Sequence, residues 1–205
     1  MPATPLYSVV FDFGGVLLDW DPWYLYQKVF SSREEYDRFI TESKFYDWIA
    51  RSDRGVKFND LFEEIGTITP QWVAPARLFT KRFLETIRMC PKSIDILKDL
   101  YDLGTPLFGL TNWSSETFPL VRKKYTFFEF FRGIIVSGEE GIKKPNPDFF
   151  KMALSRWQLT ASSAVFIDDK EENVEAAQSV GICSILFKTP EQLRKELKTL
   201  KIPFE

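Results

Sequence analysis

Short apolar runs that end in polar side chains recur along this chain. Residues 9–11 form the first run, which ends at Asp12, and residues 164–167 form a later one, which ends at Asp168. Unbroken apolar runs of this kind are typical of strands that are covered on both faces of a parallel sheet. From Pro91 onwards such runs alternate with helical patterns. The chain is therefore predicted to have an α/β fold, a Rossmann-like parallel sheet flanked by helices.

A long segment near the start of the chain lacks strand patterns. Its aromatic and aliphatic residues recur at helical spacing, as Phe58, Leu61, Phe62 and Ile65 do. Such a stripe predicts amphipathic helices. The predicted domains are a core over residues 1–20 and 89–205 and a small all-helical domain over residues 21–88.

Asp12 is the first candidate for chemistry. A carboxylate at the end of an apolar strand is unusual unless it is paired, bound to a metal or reactive. Gly14 and Gly15 follow it and leave room for the backbone to approach a ligand. Asp12 is therefore a candidate nucleophile.

Two neighbouring acids, Asp168 and Asp169, end the later strand. In a site of low dielectric constant they repel each other unless a cation neutralises them or one of them holds a proton. A hard divalent cation fits such a pair. Ligands gather at the carboxyl ends of parallel strands, so Asp12 is expected to lie beside these acids. Asn173, one helical turn beyond Asp169, is expected to face the same point.

Two further strand ends carry polar groups. Thr111 and Asn112 follow the apolar stretch 105–110, and their hydroxyl and amide groups are suited to donate hydrogen bonds to an anionic oxygen. Lys144 lies on the loop after the apolar stretch 133–136. A lysine in that position would balance the acids and hold a phosphate group.

These four strand ends, in this order, resemble the motifs of the haloacid dehalogenase-like hydrolase superfamily. Most of its members are phosphatases that pass through an aspartyl-phosphate. The resemblance extends from about residue 7 to about residue 187. It implies that Asp12 is the nucleophile, that Thr111 donates to the transferred phosphoryl group and that Lys144 is the cation that orients both.

The resemblance also implies Mg²⁺ as the cofactor. An anionic nucleophile approaches an anionic phosphate only when cations offset the repulsion between them. Members of the superfamily often carry a helical cap directly after the nucleophile strand, where the segment 21–88 lies, and closure of a cap excludes water. The implied metal ligands, directly or through water, are Asp12, the backbone carbonyl of Gly14, Asp168, Asp169 and Asn173.

A polar cluster lies between two helical stretches of the insertion. Arg51, Asp53 and Arg54 are followed there by Gly55. The arginines are suited to bind the distal end of a phosphorylated or carboxylated substrate by bidentate hydrogen bonds. A solvated turn between two helices explains the same residues equally well. The predicted substrate contacts are Gly15, Trp20, Arg51, Arg54 and Asn112.

Gly14 departs from the pattern of the superfamily. Its phosphatases usually carry an Asp at this position, which protonates the leaving oxygen and then activates water. The loss of a positioned acid and base costs on the order of 10²–10⁴-fold in rate. We therefore expect slow turnover, a restriction to good leaving groups, or help from the substrate or another residue. The chain contains no histidine that could replace the missing acid and base, and Asp19 is the candidate replacement.

Two alternatives stay open at this stage. A 2-haloacid dehalogenase uses the same Asp nucleophile without a metal and also lacks an Asp at the position of Gly14. The adjacent acids Asp168 and Asp169 favour the metal-dependent phosphatase, because a metal-free site has little use for both. A binding or regulatory protein of the same fold would also explain Gly14, although buried charges are costly to retain without a function.

The composition favours an ordinary enzyme of small molecules. A net charge of −2 over 205 residues gives no electrostatic basis for binding nucleic acid or a membrane surface. No apolar run approaches the ~20 residues of a membrane span, and residues 1–5 do not resemble a signal peptide. Cys90 and Cys183 are expected to be buried free thiols in a reducing cytosol. We therefore predict a cytoplasmic enzyme that acts on a small phosphorylated molecule.

Overall fold

Seven strands lie in the part of the chain that the structure describes, which is residues 7–200 and 202 of a computed structural model. The remaining termini, including the segment 1–5 and the outer limits of the predicted core, lie outside the described residues. The strands are β1 (Ser8–Phe11), β2 (Leu18–Trp20), β3 (Ile87–Met89), β4 (Leu107–Thr111), β5 (Gly133–Val136), β6 (Ala164–Asp168) and β7 (Cys183–Leu186).

Helices cover most of the remaining described chain. Short 3₁₀ helices occupy Pro70–Trp72, Phe83–Thr86, Thr126–Phe130 and Ala161–Ser163. The α-helices are α1 (Trp23–Tyr26), α2 (Arg33–Glu42), α3 (Phe45–Ser52), α4 (Phe58–Ile68), α5 (Val73–Lys81), α6 (Pro91–Asp102), α7 (Phe118–Lys124), α8 (Ser137–Glu140), α9 (Pro147–Trp157), α10 (Glu171–Ser179) and α11 (Pro190–Thr199).

Five of the strands form one parallel sheet in the order β5-β4-β1-β6-β7. The predicted α/β fold with a parallel sheet flanked by helices is confirmed. All residues of β1, β4 and β6 are buried, as their unbroken apolar sequences predict. Phe11, the last residue of β1, is paired with Gly109 of β4 on one side and Ile167 of β6 on the other. This register brings the carboxyl ends of the three central strands to the same edge.

A small antiparallel ribbon connects the sheet to the helices α1–α5. Its strands β2 and β3 pair Leu18 with Met89 and Trp20 with Ile87. The sequence did not predict these strands, because three residues are too few to reveal an alternating pattern. Between β2 and β3 the described chain is helical, apart from its connecting turns. We call residues 21–86 the helical segment.

Buried aromatic rings hold the helical segment together. Tyr26, Phe39, Phe45 and Phe79 are fully buried and pack in tilted or edge-to-face contacts, with ring centroids 4.9 Å apart for Tyr26 and Phe39 and 5.3 Å for Phe45 and Phe79. Burying each such side chain contributes about 1.5–3 kcal/mol. The stripe that begins at Phe58 forms the buried face of α4.

The first helix of the segment, α1, has only four residues. The next helix, α2, begins soon afterwards, because the Ser32 hydroxyl accepts a hydrogen bond from the Glu35 backbone N–H and caps its amino end.

The two cysteines are free thiols, but they are less buried than expected. Cys90 is half-buried, whereas Cys183 is exposed. Cys183 begins β7, which lies at one edge of the five-stranded sheet. The expectation that both thiols are buried is wrong for Cys183. Within the described residues, every helix is too short or too polar to cross a bilayer.

Candidate active site

A buried ion cluster lies at the carboxyl ends of the central strands. The Lys144 ammonium is 3.1 Å from Asp12 Oδ1 and 2.7 Å from Asp168 Oδ2. It also donates to the backbone carbonyl of Leu110 at 2.8 Å. An ammonium group has three protons to donate, so these three oxygen atoms account for all of them. Lys144 is 1% exposed, and its charge is directed at the two carboxylates.

Asn112 fixes the backbone of Lys144 from the neighbouring strand. Its amide donates to the Lys144 carbonyl at 2.9 Å and accepts from the Lys144 backbone N–H at 2.9 Å. Asn112 follows directly after β4, so the loop that carries Lys144 is held at the sheet edge.

Asp168 is held by further donors. The Asn173 amide donates to both carboxylate oxygens of Asp168, at 2.9 and 3.0 Å, and the Lys170 backbone N–H donates to Asp168 Oδ1 at 2.9 Å. Asn173 therefore contacts Asp168, the neighbour of Asp169. The carbonyl oxygen of the Asn173 side chain is buried and has no hydrogen-bond partner among the described residues.

The cluster carries more negative than positive charge. Burial raises the pKa of Asp12 to about 7, and Lys144 offsets only part of this effect. Burial also raises the pKa of Asp169, and the nearby charge of Asp168 raises it further. Burial works against the charged form of Lys144 as well, but Asp12 and Asp168 outweigh it and raise the pKa of Lys144. The cluster thus contains one buried ammonium, which contacts Asp12 and Asp168, and a third carboxyl group at Asp169.

This charge excess fits a divalent cation. Asp12, Asp168 and Asp169 each offer a carboxylate oxygen, and these three atoms lie within 4.8 Å of one another. Oxygen donors at such spacing suit Mg²⁺. Both oxygens of Asp168 already accept hydrogen bonds, so Asp12 and Asp169 are the freer ligands. The uncompensated carboxyl groups and the unpartnered Asn173 oxygen therefore match the donor set expected for Mg²⁺.

Gly15 leaves the room that Asp169 needs. Its φ of +75° lies in the left-handed region, and a Cβ atom at this position would lie 2.3 Å from Asp169 Oδ2. Gly14 differs, because a Cβ atom there would have no other heavy atom within 4 Å.

Thr111 is the last residue of β4 and is 1% exposed. Its hydroxyl has no hydrogen-bond partner among the described residues. An unsatisfied buried hydroxyl is costly, and an acceptor supplied by a ligand would remove that cost.

A cavity of about 420 Å³ opens between the ion cluster and the helical segment. Of the predicted residues, Asp12, Gly14, Gly15, Trp20, Asn112, Asp169 and Asn173 line it. Its apolar wall consists of Trp20, Tyr46, Ile49, Phe58, Phe79, Phe83 and Trp113.

The two predicted arginines do not line this cavity. Arg51 pairs with Glu64 at 2.8 Å and lines a second, smaller cavity, so its guanidinium is directed away from the ion cluster. Arg54 is exposed, in the turn between α3 and α4. Substrate binding by these arginines stays a prediction, and the position of Arg54 agrees with the solvated turn as well.

Three charged residues without an assigned role in the sequence analysis do line the cavity: Asp53, Lys143 and Lys170. Lys143 directly precedes Lys144, and Lys170 directly follows Asp169. This proximity to motif residues is the feature of the sequence that points to both lysines. Asp19 also lines the cavity, but its carboxylate accepts a hydrogen bond from the Tyr24 hydroxyl.

Residues 9–187 match the family model described as haloacid dehalogenase-like hydrolase. The chain belongs to this family. Membership in it favours an enzyme over a binding protein without catalysis and agrees with the fold and the motif order.

Named relatives of this hydrolase include phosphatases. A sesquiterpene phosphatase, astK, of Aspergillus oryzae is 27% identical over 187 residues, which cover 89% of this chain and 90% of the relative. A glyceraldehyde 3-phosphate phosphatase of Pyrococcus abyssi is 27% identical over 121 residues, 58% of this chain and 51% of that protein.

A solved structure shares the fold. The haloacid dehalogenase family enzyme BT-2542 of Bacteroides thetaiotaomicron, in complex with magnesium and inorganic phosphate, aligns with a TM-score of 0.64 at 19% identity. The alignment covers 89% of this chain and 94% of that one. At this identity the likeness supports the fold alone.

Proposed function

We propose that this hydrolase is a Mg²⁺-dependent phosphatase of small phosphate monoesters that works through an aspartyl-phosphate. The observation that carries the proposal is the ion cluster, in which Asp12 lies at the cavity and Lys144 beneath it faces two of three carboxyl groups. A site with this charge excess suits metal-assisted phosphoryl transfer better than the metal-free displacement of a halide.

Each residue of the cluster has a role in this reaction. Asp12 attacks the phosphorus atom, and water then hydrolyses the aspartyl-phosphate. Lys144 orients Asp12, while the Thr111 hydroxyl donates to a phosphoryl oxygen. Lys143 and Lys170 line the cavity and attract the dianionic substrate.

A divalent cation would be held by Asp12, Asp169 and the backbone carbonyl of Gly14. Bound there, it would supply positive charge between the nucleophile and the phosphate. Asp168 would act on it from behind these ligands, because both of its oxygens already accept from protein donors, and the unpartnered side-chain oxygen of Asn173 would contact it directly or through water.

The helical segment supplies much of the other wall of the cavity, and we propose that it acts as the cap. Eight aromatic or aliphatic residues in the lining, Ala50 included, favour the phosphate ester of an apolar alcohol. Sesquiterpenes are apolar, and the relative named as a sesquiterpene phosphatase therefore supports the same substrate class. We also propose that the protein is cytoplasmic, because the free thiols of Cys90 and Cys183 agree with a reducing compartment.

Phosphate release from an aryl phosphate, with Mg²⁺ and with a chelator, tests the proposal. We expect release that requires Mg²⁺ and disappears in Asp12→Asn. Asp47→Asn is the matched control, since Asp47 is exposed on α3 outside this cavity. Halide release from a 2-haloacid without metal would identify the dehalogenase instead. A prenyl monophosphate with a lower KM than a sugar phosphate would support the apolar substrate.

A further inference from the structure

The space beside the nucleophile lacks the carboxylate that phosphatases of this family usually place there. Gly14 occupies that position, and no heavy atom beyond its two chain neighbours lies within 4 Å of where its Cβ would be. Asp19 also lines the cavity, but one of its carboxylate oxygens is held by a hydrogen bond from the Tyr24 hydroxyl, so it is the less available replacement. The Arg88 guanidinium packs over the ring of Tyr24, 3.6 Å from its centroid, and so holds this pair in place.

A different acid reaches the same cavity from the helical segment. Asp53 follows directly after α3 and lines the cavity together with Asp12 and Gly14. Asp53 is half-buried, and among the described residues its carboxyl group has neither a hydrogen-bond donor nor an ion-pair partner within 4 Å. A buried carboxyl group without a partner is costly for stability, so it is retained more readily where it has a function.

We propose that Asp53 is the general acid and base of this hydrolase, in place of the acid that is missing at Gly14. The inference rests on the proposed phosphatase function. In the first step Asp12 forms a bond to phosphorus, the bond from phosphorus to the leaving oxygen breaks, and the proton of the Asp53 carboxyl passes to that oxygen. In the second step water forms a bond to phosphorus, the Asp12–phosphorus bond breaks, and Asp53 takes the proton from the water.

The charges around Asp53 suit both steps. Burial raises the pKa of Asp53 to about 6, although Lys143, Lys170 and Lys144 each lower it. Both the acid and the base form are therefore accessible near neutral pH, which is the condition for efficient proton transfer in each direction. Lys143 and Lys170 line the same cavity, so they also keep the phosphate near Asp53.

The test is Asp53→Asn, assayed on two substrates in the presence of Mg²⁺. An alkyl phosphate has a poor leaving group and requires the acid, so kcat should fall on the order of 10²–10⁴-fold. An aryl phosphate has a good leaving group and does not require it, so the first step should stay fast. Because the base for the second step is also lost, we expect a burst of about one phenol per active site, followed by slow turnover.

Two further variants sharpen the result. Gly14→Asp in the Asp53→Asn background should restore turnover of the alkyl phosphate at least 10-fold, because it returns a carboxyl group to the open space at Gly14. Asp47→Asn, the same substitution in the preceding helix, should leave both substrates unaffected. Thermal unfolding of each variant verifies folding, and Asp53→Ser replaces Asp53→Asn if the latter does not fold.

An equal loss of rate on both substrates without a burst would overturn the inference and assign Asp53 a structural role. A double variant that stays as slow as Asp53→Asn would also overturn it. Failure of the proposed function has a different signature, because the wild-type protein would then release no phosphate at all.

Discussion

Asn112 and Lys144 exchange two hydrogen bonds, each 2.9 Å long, between an amide side chain and a backbone. The Asn112 side chain thereby fixes the backbone from which the Lys144 side chain extends. Since Lys144 reaches from there to Asp12 and Asp168, the position of Asn112 governs the geometry of the whole ion cluster.

Asn112→Ala should therefore reduce both stability and activity. Loss of the two hydrogen bonds should lower the free energy of unfolding by about 1–3 kcal/mol. A shift of Lys144 should lower kcat by about 10- to 100-fold, since misplacement of about 1 Å can cost this much. Asn146→Ala serves as the control: it removes one exposed cap of α9 and should cost about 1 kcal/mol while leaving kcat unchanged. Equal kcat values for the two variants would contradict the prediction.

Lys144→Met should be among the most destabilising single substitutions in the cluster. It would leave Asp12 and Asp168 buried without their cation, which costs about 3–5 kcal/mol. Urea unfolding at pH 7 measures the loss. Lys143→Met is the matched control, because Lys143 is only half-buried and has no ion-pair partner within 4 Å among the described residues. If the two variants unfold at the same urea concentration, the ion cluster does not contribute as inferred.

Asp12→Asn should change how stability depends on pH. The pKa of Asp12 is raised from 3.8 to about 7 in the folded protein, so the folded state binds a proton that the unfolded state releases between these values. The metal-free wild-type protein should thus lose stability as the pH rises from about 4 to about 7. The loss amounts to at most about 4 kcal/mol, since one pKa unit corresponds to about 1.4 kcal/mol.

Asp12→Asn has no carboxyl group to ionise at this position, so it escapes the loss of stability. The variant should therefore be more stable than the wild type at pH 7.5 in a chelator. Mg²⁺ should reduce this difference in stability between the variant and the wild type. Unfolding at pH 5 and pH 7.5, with and without Mg²⁺, measures both effects. A variant that is less stable than the wild type at both pH values would refute this reasoning.

The adjacent glycines Gly14 and Gly15 should differ in their tolerance of a substitution by alanine. Gly14→Ala places a methyl group in open space and should leave the melting temperature almost unchanged. Gly15→Ala places one against the Asp169 carboxylate at a left-handed φ, which should cost about 1–3 kcal/mol and displace a proposed metal ligand. Thermal unfolding, and the increase in melting temperature on adding Mg²⁺, distinguish the two variants. A normal response of Gly15→Ala to Mg²⁺ would count against the role of Asp169.

The sheet and the ion cluster were predictable because each depends on a short local pattern. Apolar runs that end at Asp12 and Asp168 mark buried parallel strands, and the edge where such strands end is shared. The helical segment was predictable in class but not in detail. Which side chain faces the cavity depends on how α3 packs on its neighbours, and a single sequence does not encode that packing in any short pattern.

Asp53 and Arg51 illustrate this limit. Both belong to one polar cluster of the sequence, and the arginine was the more obvious choice for binding an anion. In the structure Arg51 pairs with Glu64, whereas the end of α3 directs Asp53 to the cavity. Two residues along a helix correspond to about half a turn, so residues two positions apart face opposite sides.

The ribbon of β2 and β3 has a consequence for how the protein could be altered. Its pairing holds the entrance and the exit of the helical segment side by side. A segment with adjacent ends can be exchanged for one of another length without changing the strand order of the sheet. Selection for a new substrate therefore has a defined target, the cavity-facing positions of the helical segment, while the strand ends that hold the ion cluster remain untouched.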